Sequence, residues 1–159
     1  MATIRRIGPE DWREWREVRL AALKDAPDAF GSTYEREIAF GEADWRTRLT
    51  RGGPIVAEQD GRIVGCAAGV PDADDPSTVE VYAMWVAASA RGGGAAGALI
   101  ESIVSDAREA GAKRVHLWVT ETNERARAFY RRHGFTETGE REPLLSNTTL
   151  DVLGMERVP

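Results

Sequence analysis

The run Arg91-Gly92-Gly93-Gly94-Ala95-Ala96-Gly97 constrains this chain more than any other stretch. It follows a strand-like apolar segment, Val79 to Val86, and opens into a helical pattern from Ala95 to Ala110. Bare glycines let a ligand approach the main chain, and the first turn of a helix carries N–H groups with no intrahelical acceptor. The positive end of the helix dipole adds to this and makes the turn an anion site, most naturally for phosphate. The expected ligand is a phosphorylated cofactor.

Gly92-x-Gly94-x-x-Gly97 also satisfies the dinucleotide fingerprint. Three observations weigh against that reading. Ala87 to Arg91 separates the strand from the first glycine, whereas the fingerprint wants the glycine directly after the strand. The motif begins past mid-chain, which leaves too few residues for a doubly wound sheet. Arg91 is a phosphate partner that the fingerprint does not ask for. A plain flexible loop is the remaining alternative.

Around this motif the chain reads as one domain, residues 1–159. At 159 residues it can bury a real core, and 42% hydrophobic with 30% charged residues suits a soluble globular protein. The net charge of −5, with no Lys/Arg run, argues against a nucleic-acid partner. The N-terminus shows no signal peptide, no run of apolar residues is long enough to span a membrane, and the lone Cys66 fits a reducing compartment. A cytoplasmic location is expected.

Thr3–Ile7 reads as a strand, and Pro9 to Lys24 as a helix with Trp12, Trp15, Val18 and Ala22 on one face. A shorter helix covers Glu42–Arg51 and is ended by Gly52-Gly53-Pro54. Ile55–Glu58 and Ile63–Val70 form a hairpin around Asp60-Gly61. Strand Val79–Val86, helix Ala95–Ala110, strand Val115–Thr120 and helix Asn123–His133 follow, with Gly134 as the C′ residue. Phe135–Gly139 and Thr148–Arg157 close the chain as strands, joined by a loop containing Pro143. The order β-α-α-β-β-β-α-β-α-β-β predicts an α+β fold: a mixed, mostly antiparallel sheet of about seven strands with four helices.

The glycine motif and the later helix together have the form Arg-x-x-Gly-x-Ala … Asn-x-x-Ala-x-x-x-Tyr-x-x-x-Gly-Phe, from Arg91 to Phe135. This pair resembles the acetyl-CoA-binding core of the GNAT superfamily of acyl-CoA N-acyltransferases. The likeness covers about Glu80 to Phe135, and the flanking segments fit the family's order of elements. It implies the same α+β layout, in which the strands before and after the glycine-motif helix splay and the cofactor enters the gap. It further implies transfer of an acetyl group from acetyl-CoA to a primary amine by direct attack in a ternary complex. The amine belongs to a small molecule or a peptide, and CoA is the other product. No cysteine sits near the motifs to serve as a nucleophile. A non-catalytic acyl-CoA sensor or interaction module is the alternative, and a dehydrogenase stands third.

Under this resemblance the amides of Gly92, Gly93, Gly94, Ala95, Ala96 and Gly97 hold the diphosphate, and Arg91 adds charge. The family often has a second basic residue where this chain has Gly93, and a proline where it has Ala88. Main chain near Met84, Trp85 and Val86 polarises the thioester carbonyl. Tyr130 protonates the departing thiolate; packing of Phe129-Tyr130 on the helix is the plainer alternative. Asn123 caps its helix, touches pantetheine, or does both. Glu80 is the candidate base, through a water, with Glu121 as rival and simple solvation as the bland reading. Strict alternation puts Glu80, Tyr82 and Met84 on one strand face and Val81, Ala83 and Trp85 on the other. Phe30, Tyr34, Phe40, Met84 and Trp118 are candidates for the acceptor pocket, though core packing explains each as well. His116 and His133 read as structural. No metal site is expected. Pairing of exposed strands into a homodimer stays open.

Overall fold

The computed structural model describes residues 2–50 and 53–159. Seven strands form a sheet in the order β1-β2-β3-β4-β5-β7-β6: β1 Thr3–Arg6, β2 Ile55–Gln59, β3 Arg62–Pro71, β4 Thr78–Val86, β5 Arg114–Thr120, β6 Thr136–Leu144 and β7 Asn147–Arg157. β4 and β5 pair in parallel and their neighbours pair antiparallel. Five α-helices accompany them among the described residues: α1 Trp12–Asp25, α2 Tyr34–Ile38, α3 Glu42–Thr47, α4 Ala95–Glu109 and α5 Glu124–Arg132. The mixed, mostly antiparallel α+β sheet expected from the sequence is therefore present.

The helix count differs from expectation by α2. Five residues are too short for a 3.6-residue period to show, and Thr33 caps the helix by accepting from the Arg36 N–H. The expected helix over Glu42–Arg51 is helical only to Thr47, and Arg51 and Gly52 lie outside the described residues. β6 runs through Pro143 rather than ending at Gly139. As an edge strand it can hold a proline without losing a ladder bond on its open side.

The helices sit on the two faces of the sheet according to their apolar stripes. Leu99, Ile100, Ile103, Val104 and Ala107 of α4 are buried against Ala57, Ala67, Val81, Val115 and Leu117, and Tyr130 of α5 joins the same core. On the other face, Trp15 and Val18 of α1 pack with Trp45, Leu49, Val56 and Cys66. Beside this second core Glu37 is fully buried. It takes a two-pronged contact from Arg19, both bonds 3.1 Å, and a third at 2.8 Å from Arg48. Burial pushes the Cys66 thiol up to about 12, and its sulfur donates to the Ala83 carbonyl at 3.1 Å.

That carbonyl belongs to a β-bulge. Tyr82 pairs with Ala68 and Trp85 with Cys66, so Ala83 and Met84 together oppose Ala67 alone. Ala83 has φ +56°, a left-handed conformation that costs a non-glycine residue roughly 1–2 kcal/mol. The extra residue breaks the strict alternation read from the sequence. Val81 packs on the α4 side before the bulge and Met84 and Val86 do so after it, while Ala83 and Trp85 face the α1 side.

Candidate active site

β4 and β5 stay paired only from Thr78↔Arg114 to Glu80↔His116. Beyond that rung they part. β5 goes on pairing with β7 up to Thr120, whereas β4 keeps to β3 up to Val86. The fork opens into a cleft of about 750 Å³ lined by Met84, Trp85 and Val86 of β4, by Arg91 to Gly97 in part, and by Asn123, Phe129 and Tyr130 around α5.

The glycine loop forms one end of this cleft. Gly92 and Gly94 have φ of +83° and +88°, and a Cβ on either would meet nothing within 4 Å. These glycines are there for backbone shape. Gly94 is the N-cap of α4 and no side chain caps it. The first intrahelical bond is Ala98 N–H to the Gly94 carbonyl at 3.0 Å, so the amides of Ala95, Ala96 and Gly97 precede the ladder. The side chain of Ala95 is buried in the core, and the Gly93 N–H is taken by the Ala90 carbonyl at 3.3 Å. A Cβ on Gly97 would come within 3.3 Å of His133, so the bare backbone here also sets the width of the slot.

Positive charge gathers along the slot. Arg91, Arg125 and Arg132 line it against a single carboxylate, Asp25. Arg125 and Arg132 supply the basic character that Gly93 does not. They stand seven apart with Phe129 between them, a helix-face spacing present in the sequence. The turn of free amides and these guanidinium groups form a donor set suited to a diphosphate.

α5 presents its residues through two firm ends. Asn123 Oδ1 accepts from the Ala126 N–H at 3.1 Å while the residue also lines the cleft. Gly134, φ +84°, ends the helix, with bonds from Gly134 N–H to the Arg131 carbonyl and from Phe135 N–H to the Tyr130 carbonyl, both 3.0 Å. Tyr130 is buried, packs edge-on against Phe129 and Phe135, and reaches the cleft wall. Burial raises its phenol well above the ordinary tyrosine value of 10, so it is protonated at neutral pH. His133 also lines the cleft, its ring tilted 47° against Phe129 with ring centres 4.6 Å apart, and lies 2.9 Å from Glu101.

The other candidate residues lie outside the cleft. Glu80 sits at the apex of the fork, buried, with its Oε1 2.6 Å from His116 Nδ1, close but off the line of a hydrogen bond. Glu121 is engaged by Arg141 at 2.7 and 2.9 Å. Phe30 is buried in a small core with Ala22 and Leu23, beneath the Arg19 guanidinium. Tyr34 lines a separate hollow of about 400 Å³ with Lys24, Asp28 and Ser146. Phe40 packs edge-on against Trp45, and Trp118 does so against His116. Asp25, which no motif pointed to, ties the end of α1 to the β4 side of the cleft mouth: it accepts from Trp85 Nε1 and from Arg91 Nη2.

Known proteins share this architecture. The sequence profile of the Acetyltransferase (GNAT) family matches residues 11–135. An uncharacterized N-acetyltransferase of Mycobacterium tuberculosis is 38% identical over 87 residues, which are 55% of this chain. The chain spans about half, 54%, of that relative's length. The 5-NmdU N-acetyltransferase of Pseudomonas phage PaMx11 is 31% identical over 140 residues, 88% of this chain and 91% of the relative. In solved structures, a GNAT-family acetyltransferase from Streptococcus pneumoniae superposes with a TM-score of 0.81 at 18% identity, over 99% of both chains. A protein from Salmonella typhimurium, solved with its cofactor acetyl-CoA, gives 0.76 at 20% identity, over 99% of this chain and 94% of that one. With the profile spanning most of its length, the forked sheet and the glycine loop ahead of α4, the chain belongs to the GNAT acetyltransferase family.

Proposed function

We propose that this protein, acting as a single domain, is an N-acetyltransferase that moves the acetyl group of acetyl-CoA onto a primary amine by direct attack. The observation that carries the reading is the coincidence, in one cleft, of the uncapped first turn of α4 with the buried Tyr130 phenol. The residues present fit the CoA portion. Free amides at Ala95 to Gly97 and the three arginines face a diphosphate, and apolar Met84, Val86, Ala126 and Phe129 suit the pantetheine arm. Acetyl-CoA supplies an activated thioester; the chain's residues do the rest.

In this reading an amide at the Ala83–Met84 bulge, where the register of β4 against β3 shifts, donates to the thioester carbonyl as charge builds there. Tyr130 keeps its proton and directs it at the departing sulfur. A thiol's ordinary pKa is about 8.5, below that of this phenol, so full transfer is uphill. The hydrogen bond to sulfur therefore carries the stabilisation. Glu80 is the proposed base. It lies three residues from the bulge, roughly 10 Å along a strand, so the amine proton reaches it through water. The acceptor approaches from the side of the fork that carries Tyr82 and Trp118.

Calorimetric titration with acetyl-CoA, and thiol detection of released CoA against polyamines, amino acids, aminoglycosides and peptides, tests the reading. 5-NmdU belongs in that panel because the phage relative is named for it. Binding with turnover of at least one amine is expected. Binding without turnover on any amine points to an acyl-CoA sensor, and no heat on titration removes the proposal.

A further inference from the structure

We propose that Glu80, His116 and Glu140 act as one proton-holding unit below the fork: His116 stores the proton that Glu80 takes from the acceptor amine, and Glu140 holds the imidazole in place. This deepens the transferase reading above and rests on it. His116 is buried, with Nδ1 2.6 Å from Glu80 Oε1 and Nε2 2.8 Å from Glu140 Oε1. A neutral Nδ1 lone pair and a carboxylate oxygen repel at that separation, so the contact is the one the pair makes once it has taken up a proton, and uptake relieves the repulsion.

Glu140 is not a neighbour of β5. It belongs to β6, and β7 lies between the two strands. Three features bring it across. Glu137 pairs with Met155 and Arg141 with Leu153, so residues 138–140 bulge out opposite Gly154 alone. Gly139, at φ +90°, makes the turn within the bulge. Gly154 clears the path, since a Cβ there would lie 2.5 Å from Glu140 Oε1 and 2.6 Å from Thr138 Oγ1. The Thr138 hydroxyl then fixes the carboxylate with a 2.6 Å bond. Among the described residues no cluster of His, Cys, Asp or Glu is arranged to hold a metal ion, so a proton is what this trio can share.

The chemistry needs such a unit. A lone carboxylate, pKa about 4.3, is a weak base for an ammonium of about 10, whereas an imidazole titrates near the working pH, where general-base catalysis is efficient. The amine N–H bond breaks and its electron pair stays on nitrogen. The proton passes to a Glu80 oxygen and on to Nδ1, making imidazolium. Nε2 keeps its own proton and donates it to Glu140, which remains ionised, as a carboxylate behind a catalytic histidine does. After the product leaves, the Nδ1 proton returns through Glu80 to water. Burial works against the imidazolium, and contact with Glu80 and Glu140 outweighs it, so the ring titrates above its ordinary 6.5. Other groups acting on the unit are Arg114 beside Glu140, Glu156 paired to Arg114 at 2.9 Å, and Tyr82 with Asp72 beside Glu80.

The test couples a resonance titration to kinetics on the full chain. The chain has two histidines, and His116→Gln assigns the His116 Cε1–H signal. In the wild type its midpoint is expected above 6.5; in Glu140→Gln, Glu80→Gln and Gly154→Ala it is expected to fall by about half a pH unit or more. Gly154→Ala displaces the Glu140 carboxylate and the Thr138 hydroxyl, crowds the Glu140 Cβ at 3.0 Å and removes no ionisable group; melting curves check that it folds. With the best amine of the panel, the acidic limb of kcat should coincide with the His116 midpoint and move with it. At pH 7, kcat should fall about tenfold in Glu140→Gln and about 10²-fold or more in Glu80→Gln, with KM for acetyl-CoA unchanged. Glu140→Asp should recover part of the loss. A His116 midpoint that Glu80→Gln and Glu140→Gln both leave in place overturns the proposal. So does an acidic limb that stays put while the midpoint moves. If the wild type acetylates no amine, the transferase reading fails, and the resonance arm still decides whether the three groups titrate together.

Discussion

Asp25 Oδ2 lies 2.9 Å from Arg91 Nη2 across the mouth of the cleft, joining the end of α1 to the loop that precedes α4. The same oxygen accepts from the Trp85 indole at 3.0 Å. Arg91 therefore already has an anionic partner where a diphosphate is expected, and the ligand must compete with a side chain.

Asp25→Asn should tighten acetyl-CoA binding. The pair is over a third exposed on each side, and such pairs are worth about 0–1 kcal/mol. Releasing Arg91 should lower Kd by up to about fivefold by calorimetry at low salt, while Arg91→Gln raises it. A weaker complex with Asp25→Asn would mean that the carboxylate shapes the cleft more than it occupies Arg91.

Tyr130→Phe should reduce kcat by about 10²–10³ with little change in acetyl-CoA affinity, because only the hydroxyl that donates to the departing sulfur is lost. Burial holds the phenol protonated, so wild-type kcat should show no basic decline from this group below about pH 10. Turnover within about threefold of wild type would remove Tyr130 from the chemistry.

Gly94→Ala separates backbone shape from space. A Cβ there touches nothing, but φ +88° costs alanine roughly 1–2 kcal/mol, a Tm loss of about 3–6 °C. Gly111→Ala, at φ +76° with equally open surroundings past the far end of α4, should cost similar stability. Acetyl-CoA affinity should fall only in Gly94→Ala. Equal affinities in the two variants would show that the loop's conformation does not matter to the ligand.

Glu37→Gln should destabilise by about 3–5 kcal/mol, roughly 10 °C in Tm, because it strands Arg19 without its counter-ion. Burial opposes the Glu37 charge, but hydrogen bonds from Arg19 and Ser32 and the charges of Arg19 and Arg48 outweigh it and hold its pKa below the ordinary 4.5. A depressed carboxyl contributes stability above 4.5 and loses it as pH falls further. The Tm gap between wild type and variant should therefore narrow below pH 4.5; a gap constant to pH 3 contradicts the assignment.

What the sequence showed was local. The Asp60-Gly61 turn, the strand–glycine–helix order and Asn123 at the head of α5 each rest on neighbours within a few positions, and each stands where expected. Contacts between distant residues left no such trace. Nothing in Val79–Val86 signals that Ala83 is an extra residue, because a two-residue period cannot show where a strand slips. Asp25 and Arg91 are 66 positions apart, and His116 and Glu140 are linked by way of Gly154, a glycine in a strand whose purpose only the folded sheet reveals. That His133 stands at a helix C-terminus, where a cation is favoured, is visible in one dimension; its place in the cleft wall is not.

Cys66, walled in beneath the Ala83 carbonyl, makes this protein quiet toward thiol reagents while it is folded. A colorimetric reagent added during turnover will report coenzyme sulfhydryl and nothing from the polypeptide. The same reagent, added during heating, becomes a clock for the opening of the layer under α1.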